Sequence, residues 1–175
     1  KAAISHQKLS HDQIVSILQT RNPDEVEELH QAADKTTRKV FGNGVSIRGI
    51  IEFSNDCEKN CLYCGVPTYD EKFTISKEAI LDCCDFMYSE GYRNVVLQSG
   101  EVTTESRINW VLDLINKVKS KYGFEEDTGM CIVLSIGELS RQQYQKLFDA
   151  GANRYLLRIE SSDPKLYASM HPKKN

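Results

Sequence analysis

Gly49-Ile50-Ile51-Glu52-Phe53-Ser54-Asn55-Asp56-Cys57-Glu58-Lys59-Asn60-Cys61-Leu62-Tyr63-Cys64-Gly65 is the stretch on which the fold turns. It opens as a short apolar run of strand character and gives way at Ser54 to a polar loop holding three cysteines. Downstream the same alternation repeats. Strands are predicted at Val45 to Phe53, Asn94 to Gln98, Met130 to Ser135 and Arg154 to Ile159. Amphipathic helices are predicted between them, near 76–90, 105–122 and 140–150. Their core positions are Ala79, Ile80, Cys83, Cys84 and Met87; Ile108, Val111, Leu112, Ile115 and Val118; and Tyr144, Leu147 and Phe148. Gly91, Gly123 and Gly151 stand where each helix should stop, and a last short helix follows Asp163-Pro164. Strand and helix in strict alternation imply parallel strands joined by right-handed crossovers, an α/β protein.

Upstream, the first forty residues read as two helices. Ser10 with Gln13 makes a capping box, and Asn22-Pro23-Asp24-Glu25 is a second start with proline in the first turn. Val26, Leu29, Ala33, Thr36 and Val40 mark one face, and Gly42-Asn43-Gly44 ends it. No linker rich in Pro, Gly or Ser separates this preface from the strands, so a helical extension over 1–44 leads directly into an α/β part over 45–175.

Composition narrows the function. The 175 residues carry 22 Lys+Arg against 25 Asp+Glu, a net charge of −3, and 40% are hydrophobic. That suffices for a core and argues against a nucleic-acid binder relying on bulk positive charge. No apolar run approaches a membrane span and no signal peptide opens the chain, which begins at Lys1 as if cut or processed. Six cysteines without a secretory signal point to reduced thiols, hence a cytoplasmic setting.

Chemistry in α/β layouts sits at the carboxyl ends of the strands. All four predicted strands end in polar residues: Ser54 with the cysteine loop, Gln98-Ser99-Gly100-Glu101, Ser135-Ile136-Gly137-Glu138, and Arg158-Ile159-Glu160. One shared site follows. Within it, Cys57, Cys61 and Cys64 are spaced CxxxCxxC. A structural zinc would want a fourth ligand from a second pair, whereas His30 and His171 are remote and unpaired in sequence. A disulfide would leave an odd thiol. An iron–sulfur cluster held by three thiolates keeps one iron open, a liability in an electron carrier and an asset in a catalyst.

The spacing, with Tyr63 just before the third cysteine, resembles the signature of the radical S-adenosylmethionine (SAM) superfamily. The segments 49–55, 60–65, 96–101, 134–138 and 151–160 resemble the FeFe-hydrogenase maturase HydE branch, with biotin synthase and methylornithine synthase as relatives. The resemblance implies the N-terminal half of a TIM-type barrel: four parallel βα units after a helical extension. It also implies a radical SAM enzyme that cleaves SAM to a 5′-deoxyadenosyl radical and takes part in assembling the di-iron cofactor of FeFe-hydrogenase. Cys57, Cys61 and Cys64 would then bind three irons of a 4Fe–4S cluster, with the SAM amino and carboxylate groups on the fourth. Ser99, Gly100 and Glu101 would lie near the SAM amino group, Arg158 near its carboxylate and Glu160 near the ribose hydroxyls. Gln98 and Ser135 would line the pocket, and Tyr63 would pack beside cluster and adenine. Implied partners are a small-molecule or small iron-complex substrate, an electron donor such as ferredoxin or flavodoxin, and other hydrogenase maturation proteins, with neither nucleic acid nor membrane. A biotin- or methylornithine-synthase-like enzyme is the alternative, and a non-catalytic iron–sulfur or zinc module is the rival of another class.

Physical chemistry supports several of these assignments separately. Arginine's planar fork suits a carboxylate, and a carboxylate accepts from vicinal hydroxyls. Arg158 and Glu160, two apart on a strand, should face one side. Blander readings apply elsewhere. Cys83, Cys84 and Cys131 read as buried small hydrophobes, and Arg154 as a surface or interstrand salt-bridge residue. Glu101 and Glu138 could serve only as helix-start acids. His6, His11, His30 and His171 have no partners by spacing. Ile159 and Val133 stand where HydE proteins often carry His or Thr, which touches substrate identity, and a second SAM-binding arginine after the fourth strand has no counterpart. A (β/α)₈ barrel takes roughly 250 residues. Four units make a curved, open half, so the natural protein should be longer than 175 residues.

Overall fold

The computed structural model describes residues 8–68, 70–125 and 128–172. Contacts divide the chain into two units, one ending at Ser46 and one beginning at Ile47. The first holds α1 (His11–Gln19) and α2 (Pro23–Phe41). Ser10 and Gln13 form the reciprocal capping box, and the Asn22 side chain accepts from the Asp24 N–H. No residue of either helix is buried, and of the α2 stripe Val26 and Leu29 alone are half-covered. His6 lies outside the described residues.

The second unit runs β1 (Gly49–Ser54), a 3₁₀ turn (Val66–Thr68), α3 (Lys77–Ser89), β2 (Asn94–Ser99), α4 (Glu105–Tyr122), β3 (Cys131–Ser135), α5 (Arg141–Asp149), β4 (Arg154–Tyr155) and α6 (Pro164–Met170). The strands pair in sequence order β1-β2-β3-β4, all parallel. This is the α/β arrangement of four βα units expected of a partial TIM-type barrel. Each helix starts on a side-chain cap: Ser76, Thr104, Ser140 and Asp163 accept from N–H groups of the first turn.

Strand alternation sends one set of side chains to the helices and the other to the opposite face. Ile51, Phe53, Val95, Leu97, Ile132 and Leu134 pack with Ile80, Cys84, Ile108, Val111, Ile115 and Val118 in one core. Phe53 stacks on Trp110 with ring centroids 5.3 Å apart. On the opposite face the register sets Glu52 beside Gln98 and Gln98 beside Ser135, a polar row across three strands.

Several expectations need correcting. β1 starts at Gly49, four residues later than Val45, and Val45 and Ile47 are exposed. Cys83 and Phe148 are exposed, because Cys84 and Leu147 hold the buried positions of their helices. Cys131 is buried as expected. Arg154 is exposed, as expected, and it reaches Asn94 Oδ1 at 3.5 Å and Cys131 Sγ at 3.3 Å across the strands, neither contact being a salt bridge. Most consequentially, β4 has two residues and not six. After Leu156 N–H donates to Leu134 O (2.8 Å) the backbone leaves the sheet, and Glu160 adopts φ 57°.

Candidate cofactor site

The cysteine loop leaves β1 at Ser54 and returns beside it at Thr74, where the two residues form an antiparallel bridge. Ser54 and Asn55 close the base. Ser54 Oγ donates to Phe73 O (2.8 Å), while the Asn55 amide donates to Glu71 O and accepts from Phe73 N–H, both at 2.8 Å. These bonds satisfy the buried Ser54 and Asn55.

The β2 end anchors the first thiol. Gly100 N–H donates to Ser54 O (3.1 Å), Glu58 N–H to Glu101 O (2.7 Å), and Glu101 N–H points at Cys57 Sγ from 3.3 Å. Gly100 must be glycine there, since a Cβ would lie 2.2 Å from Asp56 O and 2.7 Å from Cys57 Cβ. Arg107, on α4, reaches Asp56 at 3.4 Å and steadies the same turn.

The Glu101 carboxylate is engaged on both oxygens. Lys59 Nζ lies 3.0 Å from one, and the Glu138 N–H donates to the other at 2.9 Å. Room for this side chain comes from Gly137, at φ 98°, whose Cβ would fall 2.2 Å from Glu101 Cγ. The Lys59 pKa is raised, chiefly by its hydrogen bond to Glu101. Helix capping is not the task of Glu101 or Glu138, because Thr104 and Ser140 hold those positions.

A cavity of ≈ 630 Å³ opens above the polar row. Cys57, Cys61, Cys64, Tyr63, Gln98, Ser99, Gly100, Glu101, Ser135, Arg158 and Glu160 all line it. Every site residue anticipated from the sequence therefore meets in one place. A second cavity of ≈ 740 Å³ shares Cys61, Tyr63, Glu101, Ser135, Arg158 and Glu160 with it. Arg158 and Glu160 arrive by the turn after β4, not by strand alternation; Arg158 reaches Gln98 Oε1 at 3.5 Å, and Gln98 in turn donates to Glu52 at 2.9 Å. Ile159 is 76% exposed and lines neither cavity, and Val133 is buried one step below Ser135 on its face of β3.

Three participants escaped the sequence reading. Glu52 was detectable as an acid inside an apolar strand, and Lys59 as a cation within the cysteine loop. His171 could not be found by spacing, because its partner Tyr63 is 108 residues away. The Tyr63 hydroxyl and His171 Nε2 are 2.8 Å apart. Burial pushes the Cys61 thiol up, and burial also pushes the Tyr63 phenol up to about 12.

The donor set suits an iron–sulfur group. Three soft sulfur donors line one cavity, and a backbone N–H is aimed at one of them, the kind of hydrogen bond that tunes a cluster thiolate. Among the described residues no three His, Cys, Asp or Glu side chains gather closely enough for a single metal ion.

The sequence pattern of the Radical SAM superfamily matches residues 51–175. The chain belongs to the radical SAM superfamily. Members of this superfamily use a 4Fe–4S cluster and SAM. The chain is 37% identical over 149 residues to the [FeFe] hydrogenase maturase subunit HydE of Thermotoga maritima, covering 83% of the chain and 40% of that protein. It is 28% identical over 167 residues to the 3-methylornithine synthase of Methanosarcina acetivorans, covering 93% of the chain and 46% of that enzyme. The X-ray structure of the FeFe-hydrogenase maturase HydG from Carboxydothermus hydrogenoformans superposes with a TM-score of 0.84 at 21% identity, over 99% of this chain and 41% of that one. The chain thus spans less than half the length of these radical SAM relatives. No helix among its described residues is long and apolar enough to cross a membrane.

Proposed function

We propose that this chain carries the cluster-binding and much of the SAM-binding part of a radical SAM enzyme acting in FeFe-hydrogenase maturation, HydE-like in chemistry. One observation carries the reading: three loop thiols, the polar ends of β1, β2 and β3, and the turn after β4 line a single cavity. Cys57, Cys61 and Cys64 hold a 4Fe–4S cluster. When bound, the cluster supplies the electron that splits SAM into methionine and a 5′-deoxyadenosyl radical.

The protein's task is to hold and orient. Arg158 offers a two-pronged donor to the SAM carboxylate, and its contact with Gln98 braces it over the polar row. Glu160 accepts from the ribose hydroxyls. Ser99, Gly100 and Glu101 face the amino group, with Lys59 and the Glu138 N–H fixing the Glu101 side chain. Ser135 completes the floor, and Tyr63 gives the cysteine loop an aromatic edge against cluster and adenine. The substrate is a small molecule or small iron complex. A ferredoxin or flavodoxin delivers the electron, and other hydrogenase maturation proteins are the further partners.

A second reading, a small-metabolite enzyme of the methylornithine or biotin synthase kind, draws on the likeness to 3-methylornithine synthase. Anaerobic reconstitution of the full-length protein tests the class. Uptake of about four irons per chain, lost when the three cysteines become alanine, and a reduced-cluster EPR spectrum that changes on adding SAM are the expected results. Retention of zinc in place of iron, or a spectrum indifferent to SAM, overturns the proposal. Assaying the loaded enzyme with hydrogenase maturation partners and, separately, with amino-acid substrates distinguishes the two readings.

A further inference from the structure

His171 follows α6 directly, and its imidazole is held on three sides. Nδ1 lies 2.7 Å from the Tyr167 carbonyl oxygen, and the ring stacks on the Tyr167 ring at 3.9 Å and 20°. Nε2 lies 2.8 Å from the Tyr63 hydroxyl. A carbonyl only accepts, so Nδ1 carries the hydrogen. In a neutral imidazole Nε2 is then the acceptor, and the Tyr63 O–H donates to it. One residue earlier on both segments, Leu62 N–H donates to Met170 O at 2.9 Å. Two consecutive loop residues are thereby bonded to two consecutive residues at the end of α6.

The location of this tie gives it a meaning beyond packing. The bonds from Ser54, Asn55 and Gly100 act where the loop leaves and rejoins the sheet. The Leu62–Met170 and Tyr63–His171 pair acts between the second and third thiols, on the turn closed by Cys64 N–H donating to Cys61 O at 3.1 Å. We propose that His171 is a positioning residue for the cysteine loop. By accepting the Tyr63 hydroxyl hydrogen it fixes the Cys61–Cys64 turn against α6 and so sets the placement of two of the three thiols. The inference rests on the assignment of those thiols as cluster ligands.

The test is the rate at which anaerobically loaded, full-length enzyme surrenders iron to excess bipyridine. H171L and Y63F should each shorten the half-time about threefold to tenfold, the range for one net hydrogen bond. The double variant should be no faster than the faster single one, because both remove the same bond. H171Q, whose amide oxygen can accept the Tyr63 hydrogen, should restore most of the wild-type half-time. Y63F keeps the ring and its packing, so it carries the test if H171L does not fold. Single variants that release iron at the wild-type rate, effects that multiply in the double variant, or an H171Q protein as labile as H171L would each overturn the inference. A wild-type protein that binds no cluster sinks the proposed function and this inference together. A wild-type cluster that responds to SAM, beside variants with unaltered release, sinks this inference alone.

Discussion

Replacing Gly100 by alanine should cripple cluster retention while leaving the sheet intact. The added Cβ would sit 2.2 Å from Asp56 O, 2.8 Å from Asp56 C and 2.7 Å from Cys57 Cβ. Two of these are backbone atoms and the third is the first side-chain carbon of a proposed ligand, so no rotamer change relieves the clash. Ordinary contact requires the loop to retreat by more than about 1 Å. That retreat strains the Glu58 N–H bond to Glu101 O (2.7 Å), the Gly100 N–H bond to Ser54 O (3.1 Å) and the Glu101 N–H contact with Cys57 Sγ (3.3 Å). Overpacking of this kind costs about 1–3 kcal/mol, equivalent to roughly 5–150-fold in an equilibrium constant. The penalty should fall on the loop as arranged for ligation. Anaerobic iron loading followed by timed release to a chelator measures it. Gly65→Ala in the same loop is the control, because a Cβ there meets nothing within 4 Å. Wild-type iron retention in G100A, or equal damage from G65A, would refute the reasoning.

Glu160→Gly should separate folding from binding. At φ 57° a Cβ costs about 1–2 kcal/mol, comparable with the entropy a glycine loses on folding, so the thermal midpoint should barely move while SAM affinity falls in a binding titration; a collapse in Tm would show that Glu160 is structural. Iodoacetamide should label exposed Cys83 within minutes and spare Cys84, whose thiol burial pushes up to about 12; peptide mass spectrometry showing equal labelling would contradict the packing of α3. Lys119 is buried with its ammonium on Met130 O (2.8 Å) and Asn153 Oδ1 (2.9 Å), and burial lowers its pKa from 10.5. The unfolded chain therefore holds that proton more tightly. Wild-type stability relative to K119M should rise as pH climbs from the lowered value toward 10.5, and denaturant melts with a pH-independent difference would disprove this.

Local signals carried most of the fold. Apolar periodicity and stop glycines bounded α3, α4 and α5 closely, because each depends on residues near in sequence. The strand edges were less legible. Leu156-Leu157-Arg158-Ile159 has strand composition, yet only Arg154 and Tyr155 ladder with β3, since whether a backbone pairs depends on a neighbour far away in sequence. The site shows the same division. The cysteine spacing and the polar strand ends were readable as types and positions. The Lys59–Glu101 ion pair and the Tyr63–His171 bond were not, because each joins loops that only the folded sheet brings together.

The sequential strand order also dictates when the cavity can exist. The three thiols are synthesised with the first strand, whereas Gln98 to Glu101, Ser135, Arg158 and Glu160 follow one βα unit after another. A nascent chain therefore displays its sulfur donors before it owns the walls that surround them. Loading metal at that stage would meet an unsupported loop, open to oxidants and to any competing soft cation. Because the loop is tied at Cys57 Sγ by the Glu101 N–H after β2 and at Leu62 by Met170 O at the end of α6, its anchors span almost the whole order in which these elements are made.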